Sequence, residues 1–155
     1  MQLEIYFYHL LGKVMPHRKP IHDESCPVAR SVDIVGDRWS LLIMRNAFDG
    51  MRRFSDFQRS LGVARNILSD RLRKLVEADI LETQAASDGT AYQEYVLTAK
   101  GENLFPVVVA LRQWGEQYLF QRGERYSRLI DKRTGEPVPF MSPHTSDGHR
   151  LLPDQ

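Results

Sequence analysis

The chain has a single cysteine, Cys26, among its 155 residues. That excludes an internal disulfide framework and leaves no cysteine pair for a zinc site of the CxxC type. Histidine does not supply a metal site either. His9, His17, His22, His144 and His149 lie in the two terminal stretches, without an i, i+4 pair or a cysteine companion. Long hydrophobic runs are also missing. The opening stretch, MQLEIYFYHLLGKVM, is apolar but is interrupted by Glu4 and His9, has no basic lead or small-residue cleavage site, and is too short to span a bilayer. No metal, cofactor, signal peptide or membrane segment is expected, and a reducing cytoplasm fits best. Met15 stands as an alternative start. Internal repeats and low-complexity runs are absent, and the length suits one domain burying about two-thirds of its extended surface.

The charge is not evenly spread. The whole chain carries a formal +1, yet Arg52, Arg53, Arg59, Arg65, Arg71, Arg73 and Lys74 fall within 23 residues that hold only two acids, Asp56 and Asp70. A cationic block of this kind makes a polyanion the first partner to consider. It covers two short helical patterns separated by Gly62-Val63, the layout of a helix-turn-helix.

Hydrophobic spacing and punctuation place the remaining elements. Pro27 suits a first helical position, Val28, Val32 and Val35 follow at helical spacing, and Gly36 closes the helix. Asp37 caps a second helix bearing Trp39, Leu42, Ile43 and Ala47. Ser55 and Gln58 form a capping-box pattern for a third, with Phe54, Phe57 and Leu61 inward and Gly62 as its stop. The fourth, Arg65 to Ala78, turns Leu68, Leu72, Leu75 and Val76 inward. Strands Ile80 to Ala85 and Tyr92 to Leu97 join through Ser87-Asp88-Gly89-Thr90, a hairpin cue that makes a wing. Thr98 is expected to cap one long final helix, kinked by Pro106. Beyond Gly123 a small hairpin and a frayed tail are expected. The fold class is mainly α with a β-hairpin wing, a winged helix-turn-helix.

The motifs CPV, GDRWSLLI, RRFSDF, LSDRL, EYVLTAKG and RQWG occur in that order from Cys26 to about Phe120. In them the chain resembles the HxlR-type branch of the winged-helix regulators related to MarR. The resemblance implies a small bacterial dimeric transcription factor, a repressor by default, and a cysteine before the first helix that in some members senses electrophiles or oxidants. It divides the chain into an extension (1–24), the DNA-binding and dimerisation unit (25–122) and a C-terminal extension (123–155). Three positions depart from the pattern. Ala64 stands where a capping serine is common, Asp79 stands where glycine usually ends the recognition helix, and the wing from Glu82 to Tyr95 holds no lysine or arginine.

A helix entering the major groove needs side chains able to bond base edges in its first turns. Arg65, Asn66, Ser69 and Arg73 meet that demand. Arg52, Arg53, Arg59, Arg71 and Lys74 are placed on phosphates. About four such cations per subunit of a dimer would give a log-log salt slope near −7. Cys26, at a helix start with Arg30 one turn on, is the redox candidate, because free N–H groups there favour a thiolate. Surplus apolar positions Val28, Val32, Val107, Leu111, Trp114 and Tyr118 are the expected dimer interface. Partners are therefore double-stranded DNA, a second copy, and a small-molecule or oxidant effector. Two alternatives stand beside this reading: a winged-helix module that binds protein, and a cysteine-dependent enzyme. The second lacks a recognisable base near Cys26.

Overall fold

Side-chain capping starts three of the six helices in the computed structural model, within the residues it describes, 25–153. Helix α1 (Pro27–Val35) has Pro27 in its first turn and Cys26 as N-cap, with Sγ accepting the Ala29 N–H at 3.5 Å. Helix α2 (Arg38–Phe48) is capped by Asp37, whose Oδ1 accepts the N–H groups of Trp39 and Ser40 at 3.0 Å each. The stretch 1–24, with His9, His17 and His22, lies outside the described residues.

Helix α3 (Phe54–Leu61) corrects the capping-box expectation. It starts one residue before Ser55, and Arg53 occupies the N-cap without a side-chain bond. Tertiary pairing decides this start, because Arg52 and Arg53 are drawn out alongside the wing and the Arg52 carbonyl accepts the Tyr95 N–H at 2.8 Å. Gly62 ends α3 at φ 59°, a left-handed conformation that costs glycine little. Helix α4 (Arg65–Glu77) follows with Ala64 as a bare N-cap. Its inward ridge of Leu68, Leu72 and Leu75 is sealed against a core that includes Ile43, Met44 and Phe57. Asp79, just past its end, takes φ 58°, the one non-glycine residue with positive φ among those described.

The wing is an antiparallel pair, β1 (Leu81–Ala85) and β2 (Gln93–Leu97), with Leu81 opposite Leu97 and Ala85 opposite Gln93. The final helix is not continuous, contrary to expectation. Thr98 caps a single-turn α5 (Ala99–Glu102) through Gly101 N–H at 3.0 Å, and α6 (Phe105–Tyr118) begins afresh with Pro106 in its first turn. In an unbroken helix Pro106 would face the Glu102 carbonyl with no N–H to offer and a ring in the way; at a helix start neither matters.

The LTAKG motif makes a tight joint. Thr98 Oγ1 donates to the Asp79 carbonyl at 2.7 Å, and Lys100 Nζ donates to the Ala78 carbonyl at 2.6 Å. Gly101 lies so close to the Ile80 carbonyl that a Cβ would come within 2.1 Å of its oxygen.

Beyond α6, Ile130 pairs with Pro137 around a turn at Asp131–Gly135. The stretch after Met141, expected to fray, instead closes a second turn bridging His144 and Arg150. Thr145 holds it, its backbone N–H donating to the His149 carbonyl at 2.8 Å and its Oγ1 accepting the His149 N–H at 3.0 Å. Buried Gln113 fastens this segment to α6, donating to the Pro139 carbonyl at 2.9 Å and accepting the Met141 N–H at 2.8 Å. Mainly helical with one hairpin, the architecture is the winged helix-turn-helix expected from the sequence.

Gly101→Ala should lower unfolding free energy by at least about 1–3 kcal/mol, the range for overpacking a tight site, because the blocking atom is backbone. Chemical denaturation of variant and parent, compared at constant m-value, measures it.

Candidate nucleic-acid interface

Helices α3 and α4 meet across Gly62–Ala64. Because the leucine ridge faces inward, Arg65, Asn66, Ser69, Arg73 and Lys74 are all exposed on the other side of α4. Arg65 lies over the ring of Phe54, 4.9 Å from its centroid, a cation–π contact that orients the guanidinium at the helix entrance. Asn66 and Ser69 lie on the same exposed side.

The other cations are less free than the linear sequence implies. Six of the seven lie within ion-pair distance of a carboxylate, and among the described residues Arg65 is the exception. Arg71, placed on phosphate by its spacing, is only 28 % exposed, and its Nε lies 3.3 Å from Asp37 Oδ1. It ties α4 to the cap of α2. Arg73 bonds both Asp70 at 2.7 Å and Glu77 at 2.6 Å, and Lys74 lies 3.0 Å from Asp70. Arg59 faces Asp56 at 3.6 Å and stays 79 % exposed.

Arg52 and Arg53 are met by the wing. Arg53 donates to Asp88 at the hairpin tip. Beneath both arginines lies Glu94, buried, each of its oxygens 3.8 Å from one guanidinium and one of them accepting the Ser87 hydroxyl at 3.1 Å. Seven cations thus share their surroundings with six carboxylates, of which only Asp56 and Asp70 lie inside the cationic block. Sequence reasoning missed Glu94, Asp88, Glu77 and Asp37 as partners of these arginines. For Glu77 the i, i+4 spacing from Arg73 was an available signal; the others depend on the fold.

The same contacts set the ionisation of the carboxylates. The Thr90 hydroxyl first, then the Arg53 guanidinium and the Thr90 backbone N–H, hold Asp88 down at about 2 against an ordinary 3.8. At Asp70 burial acts upward, but hydrogen bonds from Lys74 and Arg73 outweigh it and the net shift is downward.

Cys26 is half-buried at the start of α1, its sulfur facing the Ala29 N–H. The six apolar residues assigned to a dimer interface, Val28 and Val32 on α1 and Val107, Leu111, Trp114 and Tyr118 on α6, are between 45 % and 69 % exposed. The Trp114 and Tyr118 rings touch, with centroids 5.7 Å apart. Trp39, in contrast, packs partly against the core. Among the described residues no His, Cys, Asp and Glu cluster of three or more could hold a metal, and no helix is long and apolar enough to cross a membrane.

An outward polar helix seated by an apolar ridge, beside a hairpin wing, defines a winged helix-turn-helix protein. Residues 34–123 match the family model for the HxlR-like helix-turn-helix, and the chain belongs to that family. It is 47 % identical over 92 residues to the uncharacterized HTH-type transcriptional regulator Rv3095 of Mycobacterium tuberculosis. That match covers 59 % of this chain and 58 % of the mycobacterial protein, so the chain spans less than two thirds of that relative. The crystal structure of PA1607, a candidate transcription factor, superposes with a TM-score of 0.81 at 50 % identity, covering 84 % of this chain and 92 % of that one. The redox regulator HypR in its reduced form matches at a TM-score of 0.55 and 29 % identity, over 59 % of this chain and 92 % of its own. The relatives and neighbours named here are described as transcriptional regulators, transcription factors or redox regulators.

Asp88 binds its proton only near pH 2, so its contribution to wing order is fully present above about pH 4 and is lost as pH falls through about 2. The Thr90 amide proton followed by NMR should titrate in that window in the parent and stay flat in Asp88→Asn.

Proposed function

We propose that the chain is a homodimeric, sequence-specific DNA-binding repressor of the bacterial cytoplasm and nucleoid, responsive to oxidants or electrophiles through Cys26. The observation that carries the DNA reading is Arg65: exposed at the first turn of an outward helix, oriented by Phe54, and without a carboxylate partner among the described residues. Arginine bonds guanine in a bidentate way and asparagine bonds adenine likewise, so Arg65 and Asn66 supply the base contacts, supported by Ser69 and Arg73. Arg59, Lys74 and Arg52 take phosphates. Arg53 and Arg71 stand close behind them and act mainly as ties to the wing and to α2.

Two copies joined through the exposed apolar faces of α1 and α6 would set their recognition helices about 34 Å apart, one turn of duplex. The Cys26 reading draws on its helix-start position and on the likeness to the redox regulator HypR. As a second reading, the acidic wing suits a protein-binding module. It gives Arg65 and Asn66 no task.

Duplexes selected from a random pool by the purified protein should show a two-fold symmetric site. Arg65→Ala should then weaken binding to it by about 10-fold or more, within the 1–3 kcal/mol of a bidentate base contact. Since paired cations bring little net charge, about two effective phosphate contacts per subunit give a log-log salt slope near −4, shallower than −7. Fluorescence anisotropy across a salt series measures both, and unchanged affinity in Arg65→Ala overturns the reading.

Mild oxidant should change affinity for the selected duplex at least several-fold in the parent and leave Cys26→Ser unaffected. Equal responses of the two proteins in the same assay would remove Cys26 from the mechanism.

A further inference from the structure

Between α2, α6 and the C-terminal segment lies a cavity of about 310 Å³, at the lower end of the range typical of small-molecule sites. Leu42 and Phe48 line it from α2, Val108 and Leu111 from α6, and Phe120 and Tyr126 from the segment that folds back over α6. The lining is largely apolar and rich in aromatic rings. Phe48 meets Phe105 edge-on at 5.1 Å, and Phe120 meets Tyr126 at 4.7 Å.

The charged groups around it are ion-paired or tethered, although Arg112 Nε and Glu116 Oε1 complete no aligned hydrogen bond. Arg112 Nε lies 2.7 Å from Glu116 Oε1, and the same guanidinium donates to the Ser127 carbonyl and, at 3.1 Å, to its hydroxyl. The Arg45 guanidinium is held on Asn46 Oδ1 by two bonds, at 3.0 and 2.7 Å. With Asp49 and Glu116 also present, two cations face two carboxylates. The charged side chains of the lining therefore sum to no net formal charge.

Gly115 adds an independent observation. It sits inside α6, where glycine is disfavoured relative to alanine. No close backbone approach requires it, since an added Cβ would meet only Leu119 Cδ1, at 3.9 Å. Gly115 lines the cavity, and its missing side chain leaves the α6 wall open. Phe120, Tyr126 and Ser127, latched to α6 by Arg112, form the opposite wall, and a volume of about 310 Å³ suits a small molecule and not a helix from another chain.

We propose that this cavity binds a neutral, planar aromatic molecule of two or three rings. Apolar walls provide the affinity, the aromatic rings offer faces and edges on which a flat aromatic guest packs, and the balanced charge of the lining gives an anion no advantage. The proposal is independent of DNA binding and is read without it.

The test titrates the full chain with N-phenyl-1-naphthylamine, a neutral apolar fluorophore, and with its anionic relative 8-anilinonaphthalene-1-sulfonate. The neutral probe should give saturable, blue-shifted enhancement at one site per chain, at least 10-fold tighter than the sulfonate. Gly115→Leu should weaken it at least 10-fold while raising Tm, since the new side chain fills the space and suits a helix. Leu129→Trp, on the C-terminal segment and outside the proposed dimer interface, should weaken binding by filling the cavity from the opposite wall, and serves if Gly115→Leu fails to fold. No saturable enhancement, a sulfonate that binds equally well, or full binding by folded variants would overturn the proposal. So would a halved mass of Gly115→Leu by light scattering, which would mark the cavity as a seat for a second copy.

Discussion

The ridge formed by Leu68, Leu72 and Leu75 is the constraint on which the rest of the molecule depends. All three side chains are sealed from water, packed into the core shared with Ile43, Met44 and Phe57. At about 1.5–3 kcal/mol per buried leucine, this ridge supplies an amount comparable to the whole net stability of a small domain. The surface ion pairs along α4 are worth about 0–1 kcal/mol each and cannot compete for control of the helix's rotation. Apolar burial therefore decides which side of α4 faces outward, and the polar side chains accept the orientation they are given.

Charge then acts within that frame. A linear count makes the stretch from Arg52 to Lys74 strongly cationic. Folding brings Asp37, Glu77, Asp88 and Glu94 against it from α2, the end of α4 and the wing. The result is a surface with a local, directed positive group at Arg65 and nearly balanced pairs around it. Such a surface gives up non-specific attraction to a polyanion in exchange for contacts that depend on geometry, since long-range steering follows net charge and base discrimination follows side-chain placement. Glu94 matters most in this balance. It is the buried member, so the two arginines above it are held in place by a charge that solvent does not screen well.

Features set by local chemistry were legible in the sequence. Pro27 and Asp37 mark helix starts, Gly62 a helix stop, Asp88-Gly89 a hairpin, and the leucine period the buried face of α4. Three features were not. The start of α3 is set by the wing pairing with Arg52, which a capping-box pattern cannot register. The break between α5 and α6 depends on Pro106 lying four residues after Glu102 and on the joint that holds Gly101 against Ile80, and only the second of these is tertiary. The sequence allowed a kink; the structure makes a clean interruption. At the site, exposure of Arg65, Asn66 and Ser69 follows from helical periodicity alone. The engagement of Arg53 and Arg71 does not, because Asp88 and Asp37 lie 35 and 34 positions away in the chain.

The joint at the root of the hairpin has a consequence for how such chains diversify. Thr98 N–H bonds the Ile80 carbonyl at 3.1 Å, and Thr98 Oγ1 reaches Asp79, so the two ends of the hairpin are stapled together where they leave α4 and enter α5. Everything between is, to the remaining framework, a closed excursion. Lengthening such an excursion is inexpensive, about 0.6 kcal/mol for each doubling. Insertions at Ser87–Thr90 would thus alter reach and charge at the tip while the scaffold beneath stays put, which makes this loop a natural place for lineages to part company.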